Sequence, residues 1–342
     1  MERKVLILTD GKAGHENQSK AFARALGCAF DLVEIHFKSA FHKTLSYLFD
    51  RLGIHTLSLF ANYEPRATNH EPRTTNHAYA AVLGTGSGTF YAAKSLARKM
   101  GVKCGVVLYP RGYRIATFDC VLAPAFDRPH PAPNVITIPV NLVASDEAFY
   151  AAGTEAFRAR YTPSEKPAVA VIVGGPNKCS TMSADWLKAQ LERIFADTPD
   201  AEHWVTTSRR TPPEVEAVVD SFPFDYKLLY SKDHFNPIPA FVKLARTLYV
   251  TAESTGMISE SCTFGTAEVH VLDNLKPGPH KFRRFVEDLA RGGYVDGARK
   301  VDLSEQFSQA RKLLTISGDH PWPTSPIKRY PCRSGFASSS RP

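Results

Sequence analysis

Lys4-Val5-Leu6-Ile7-Leu8-Thr9, followed at once by Asp10-Gly11-Lys12-Ala13-Gly14-His15-Glu16-Asn17-Gln18, reads as a strand that runs into a ligand-binding turn. A continuous apolar and β-branched run marks a parallel strand covered on both faces. Gly11 and Gly14 let the backbone turn sharply and approach a ligand, and a helix expected over Glu16–Leu26 aims its first N–H groups at the same place. That geometry favours an anion. Lys12 adds a cation, His15 a group that titrates near neutral pH and Asn17 a further polar side chain, so the loop combines binding with proton transfer.

Working outward, strands and helices alternate almost from end to end. Strands are expected at Phe30–Ile35, Ala80–Gly84, Cys104–Tyr109 and Cys120–Ala123, with helices at Ser39–Leu52 and Thr89–Met100. A second series places strands at Ala168–Val173, His203–Thr207, Lys227–Tyr230, Thr247–Thr251 and Glu268–Leu272. Its helices are expected near Ser183–Phe195, Pro212–Ser221, Pro237–Ala245, Gly256–Phe264 and His280–Arg291, the second of these opened by a Thr211-Pro212-Pro213-Glu214 capping box. Such alternation implies α/β architecture with doubly wound parallel sheets. Residues 141–166 read as the connection between two Rossmann-like domains, 1–145 and 166–320, that face each other across a cleft. A Ser-, Arg- and Pro-rich tail, 321–342, is expected to fray or pack back.

Four further loops follow strands where such sheets bind ligands. Gly84-Thr85-Gly86-Ser87-Gly88-Thr89 lacks the spacing of a dinucleotide fingerprint, yet Gly86 and Ser87 allow close approach to a sugar or phosphate. Gly174 and Gly175 either make a simple turn or admit a base, with Asn177 as an added donor. Ser208-Arg209-Arg210 suits bidentate capture of phosphate oxygens. Ser254-Thr255-Gly256-Met257 opens a helix whose free N–H groups could cradle a diphosphate, and Glu260, one turn in, could accept both hydroxyls of a ribose.

The chain has 342 residues, enough for about two domains, and its 43% hydrophobic and 22% charged content is that of a folded protein. No apolar run approaches the roughly 18 residues of a membrane span, and the charged start leads straight into a strand, so a cytoplasmic protein is expected. A net charge of +8 fits an acidic partner, although the basic residues are dispersed and no nucleic-acid-reading motif accompanies them. Cys28, Cys104, Cys120, Cys179, Cys262 and Cys332 form no C-x-x-C pair, which argues for reduced core residues rather than a zinc site. No metal site and no cofactor are expected, since no Asp-x-Asp motif is present. A tandem heptad over 64–77 contains almost no apolar side chain and is expected to be an exposed loop expansion, with His70 and His77 outside any metal site. Phe37, Phe41, Leu45, Leu48 and Leu52 recur at helical spacing among Lys38, His42, Lys43 and Arg51. That stripe either packs on a sheet or lies in an anionic headgroup region.

Leu8–Gln18, Val173-Gly174-Gly175-Pro176, Ser208-Arg209-Arg210-Thr211-Pro212 and Glu253–Glu260, in this order, resemble the mitochondrial-fission-protein-like family named for plant elongated-mitochondria mutants. By fold this family looks like the GT-B glycosyltransferases and is similar in layout to the enzyme that adds N-acetylglucosamine to the lipid-linked peptidoglycan precursor. The resemblance implies a nucleotide diphosphate sugar as donor substrate, held by Ser254–Met257 and Glu260, and an acceptor at the first loop with His15 as base. It also implies a lipid-linked or envelope acceptor and a peripheral position at the inner face of a membrane. The alternative it carries is a non-catalytic scaffold that recruits division machinery. An epimerase is not expected, because neither a dinucleotide fingerprint nor a Tyr-x-x-x-Lys pair is present.

Overall fold

Val5, Ile7 and Leu8 are almost wholly buried because β1 (Lys4–Thr9) lies between two parallel neighbours and under helices on both faces. The computed structural model describes residues 3–61, the backbone of 64–66, and residues 79–316. After β1 come α1 (Ala13–Ala25), β2 (Ala29–Glu34), α2 (Ala40–Leu52), β3 (Glu64–Arg66), β4 (Ala81–Thr85), α3 (Phe90–Met100), β5 (Lys103–Val107), β6 (Cys120–Pro124) and β7 (Val135–Ile138). Their sheet runs β3-β2-β1-β4-β5-β6-β7, parallel throughout except for β3. Glu64–Arg66 therefore corrects the expectation of a bare loop: the first heptad begins with an edge strand, where Pro65 can sit because no further strand asks for its missing N–H. The rest of the repeat, with His70 and His77, and the tail 321–342 with Cys332 lie outside the described residues.

The second sheet has five parallel strands in the order β10-β9-β8-β11-β12. Its elements are α4 (Glu147–Arg158), β8 (Ala168–Ile172), α5 (Ala184–Asp197), β9 (Glu202–Thr206), α6 (Pro213–Ser221), β10 (Tyr226–Leu228), α7 (Ile238–Leu244), β11 (Thr247–Thr251), α8 (Thr255–Phe264), β12 (Glu268–Leu272), α9 (Lys281–Arg291) and α10 (Ser304–Leu313). Two parallel-sheet α/β domains result. The stretch 141–166 is more than a connection, since it contains α4, which packs on α7 and buries Tyr150 and Phe157 completely. The capping box is also corrected. Pro212 is the N-cap of α6, and the Thr211 hydroxyl instead donates to Gly174 O at 2.6 Å, tying the β9 loop to the β8 loop.

Two features position the site. Each sheet reverses its winding once, between β1 and β4 and between β8 and β11, and crevices open beyond the C-terminal ends of strands at such reversals. The loops quoted above leave from all four of these strand ends and from β9. Second, α10 returns to the first domain and packs against β6 and β7, with Leu314 reaching toward Gly105 in β5.

Helix α2 turns most of its apolar stripe away from the sheet. Its buried residues are Ser46 and Asp50, whereas Phe41, Leu48 and Leu52 are 70%, 51% and 64% exposed. The reason lies beneath it. Lys94 of α3 is buried and needs an anion, so Asp50 pairs with it and accepts from Arg114 N at 2.6 Å, while Ser46 meets the Tyr113 hydroxyl at 2.8 Å. Phe37 and Leu45 alone of the stripe pack against the core. Cys28, Cys104, Cys120 and Cys262 are buried free thiols and Cys179 is half-buried. Burial pushes the thiols of Cys120 and Cys262 up to about 12, which leaves them protonated.

Candidate functional site

At the first winding reversal, Asp10 caps the end of β1 and its carboxylate meets His15 Nδ1 at 3.0 Å and Lys12 Nζ at 2.8 Å. Burial works to raise the Asp10 pKa, but the Lys12 hydrogen bond and the charge and hydrogen bond of His15 outweigh it, so the carboxyl stays below its ordinary range. An ionised carboxylate only accepts. In the neutral ring His15 Nδ1 must therefore donate, which places the lone pair on Nε2 and makes that atom the one that can take a proton. Gly86, at φ +82°, lies flat against the imidazole, so any side chain there would collide with the ring. A Cβ on Gly88 would stand 2.7 Å from Asp10 Oδ2. The glycine-rich loop after β4 thus clamps an Asp–His pair, a role the sequence reading did not give it.

Opposite stands α8. Glu253, almost wholly buried at the end of β11, accepts from Gly175 N (2.9 Å), Thr251 Oγ1 (2.9 Å), Ser254 Oγ (3.0 Å) and Asn274 Nδ2 (2.6 Å). Because the Ser254 hydroxyl is spent on Glu253, no side chain caps α8, and the amides of its first turn are left to other partners. Gly256 has nothing within 4 Å of where a Cβ would be, and the same holds for Gly14 on α1, which also lacks a side-chain cap.

These two helix starts line one cleft of about 750 Å³ between the domains. On the first domain's side stand Gly14, His15, Asn17, Gln18, Gly86 and Ser87, with Tyr47, Leu108, Tyr109 and Arg111; on the other, Thr255, Gly256, Met257 and Glu260, with Lys281 and Phe282 of α9. Gln18 Oε1 is buried there without a hydrogen-bond partner among the described residues. Leu108 holds φ +74°, a strained conformation for a bulky residue, at the cleft wall. Glu260 accepts from the Tyr150 hydroxyl at 2.8 Å, and burial raises its pKa despite that bond.

The remaining candidates stand away from this wall. Gly11, at φ +77°, turns the chain beside Glu34 and His36, and Lys12 is exposed beyond its ion pair. Gly174 packs on Glu253 and Gly175 on the Arg210 backbone, so both glycines have a packing reason. Asn177 closes its own turn by accepting from Cys179 N at 2.7 Å. Ser208 supports its own turn, its hydroxyl accepting from Arg210 N at 3.3 Å, and the exposed guanidinium groups of Arg209 and Arg210 have no partner among the described residues.

The sequence family described as Mitochondrial fission ELM1 matches residues 13–315, almost the whole length. The chain belongs to that family. No curated protein sequence matches this family member. Among solved structures it is similar to UDP-GlcNAc 2-epimerase from Neisseria meningitidis bound to UDP-GlcNAc, at 13% identity and TM-score 0.44 over 92% of this chain and 93% of that one. It is likewise similar to E. coli ADP-heptose LPS heptosyltransferase II (9%, TM-score 0.44, 91% and 98%) and to a UDP-glucosyltransferase from Polygonum tinctorium (10%, TM-score 0.46, 92% and 94%). Among the described residues, no helix of this ELM1 family member is long and apolar enough to cross a membrane.

Proposed function

We propose that the chain is a GT-B-like glycosyltransferase that takes a nucleotide diphosphate sugar in the interdomain cleft and uses no further cofactor. The observation that carries this reading is the pairing of an Asp-held histidine on one wall with an uncapped helix start and a buried glutamate on the other. In the reaction, His15 Nε2 takes the proton of an acceptor hydroxyl. The freed oxygen attacks the anomeric carbon, and the bond from that carbon to the diphosphate breaks. The leaving diphosphate gains negative charge, which the first-turn amides of α8 stabilise; Arg209 and Arg210, away from the cleft wall, take no part in this step. Glu260 receives the ribose. Lys12 acts through Asp10, keeping it ionised.

Titration calorimetry of the full chain with uridine, guanosine and cytidine diphosphate sugars tests the donor site. Saturable binding of one nucleotide class is expected. A folded protein that binds none of them overturns the reading in favour of a non-catalytic scaffold. One observation gives docking a place beside catalysis: the outward apolar face of α2, flanked by Lys38 and Arg51. We assign it contact with an anionic membrane surface at the inner face, which would bring a lipid-linked or envelope acceptor to His15.

A further inference from the structure

Beyond Gly53, where α2 ends, a separate cavity of about 390 Å³ opens between the segment 55–57 and the last turns of α3. It shares no lining residue with the interdomain cleft. Both ring nitrogens of His55 are buried there without a hydrogen-bond partner among the described residues, and the Ser95 hydroxyl reaches no partner but the Tyr91 oxygen. Ser95 is only 4% exposed, and the neighbouring Tyr91 hydroxyl is already engaged, donating to Ile54 O and accepting from Thr56 N. Buried polar atoms are rarely left so, and two on one ring, beside a hydroxyl with donor or acceptor capacity to spare, point to a missing partner.

The chemistry of that partner follows from the charges. Arg98 and Lys99 line the cavity and have no ion-pair partner among the described residues. Cations in a last helical turn ordinarily serve its free carbonyls, but here Ala97 O and Arg98 O already accept from Val102 and Gly101. Around His55 stand Arg98, Lys94 and Arg114, with Asp50 as the opposing charge; burial first, and then the cations, press its pKa down. The donors and the positive field both await an oxyanion.

We propose that this cavity binds a phosphoryl group, held by Arg98, Lys99, the Ser95 hydroxyl and a His55 ring that gains its second proton on binding. A lipid phosphomonoester would rest its chain on the exposed Leu52 and Ile54 just before His55, whereas a soluble phosphate uses the cavity alone. The site stands independently of any nucleotide in the cleft.

The test follows the His55 ring by NMR in the full chain with inorganic phosphate, glycerol 3-phosphate, and phosphatidylcholine vesicles with or without phosphatidic acid. Bound phosphate should raise the His55 titration midpoint by about one unit, and Arg98→Ala and Ser95→Ala should each weaken the response about tenfold. A response to phosphatidic acid vesicles far below the inorganic phosphate concentration needed identifies a lipid headgroup; equal responses identify a soluble phosphate. A midpoint that none of the probes moves, or that moves equally in both variants, overturns the proposal.

Discussion

Gly86 can carry no side chain because the imidazole of His15 occupies the place its Cβ would take. At the scale of single residues, the cleft is built from such exclusions and from one orienting carboxylate. His15→Ala should lower turnover by roughly 10²–10⁴ with nucleotide affinity nearly unchanged, since a base acts only in the chemical step. Asp10→Asn should lower turnover as well, because an amide can also donate to Nδ1 and no longer fixes the tautomer. Both are read by steady-state kinetics with the donor that calorimetry identifies. Glu260 makes a different prediction. Burial raises its folded-state pKa, so between the ordinary carboxylate range and that raised value the folded state binds more protons than the unfolded one. Stability is therefore lost as pH rises through this window. Glu260→Gln should be more stable than wild type to urea at pH 7, with the gain vanishing below the ordinary carboxylate range, while losing nucleotide affinity by about 1.5–3 kcal/mol.

At the scale of elements, α2 shows what a sequence pattern can and cannot say. The helical spacing of Phe41, Leu48 and Leu52 was legible, but which side faces inward depends on Lys94, a residue more than forty positions away whose burial demands Asp50. Lys94→Met should destabilise the fold by about 3–5 kcal/mol in chemical denaturation, because it strands a buried carboxylate. Phe41→Ser with Leu48→Ser should leave stability within about 0.5 kcal/mol and abolish sedimentation with anionic vesicles. Unchanged sedimentation would remove the membrane assignment. Strands and helices of the two sheets were readable because buried parallel strands are written as unbroken apolar runs, and β1, β11 and β12 match the expected bounds residue for residue. β7 and α4 were missed where short or polar-looking stretches acquire their structure from neighbours: Tyr150 and Phe157 reveal a buried face only once α7 is present. The site divided similarly. His15 and Glu260 announced themselves by residue type and position, whereas Asp10 and Glu253 looked like ordinary loop acids until the fold brought their donors together.

At the scale of the whole molecule, the two sheets share their covering. Helix α10 is made last among the described elements but packs on β6 and β7 of the first sheet, beside a core that includes Val140, Phe307 and Leu314. During synthesis the first domain therefore emerges with an apolar face that nothing yet covers. The ribosome must complete the entire second sheet between Ile138 and Ser304, which at about 5–20 residues per second takes roughly 10–30 s. For that interval the face of the first domain that α10 covers stays open, because its covering waits on a helix encoded after the whole second sheet.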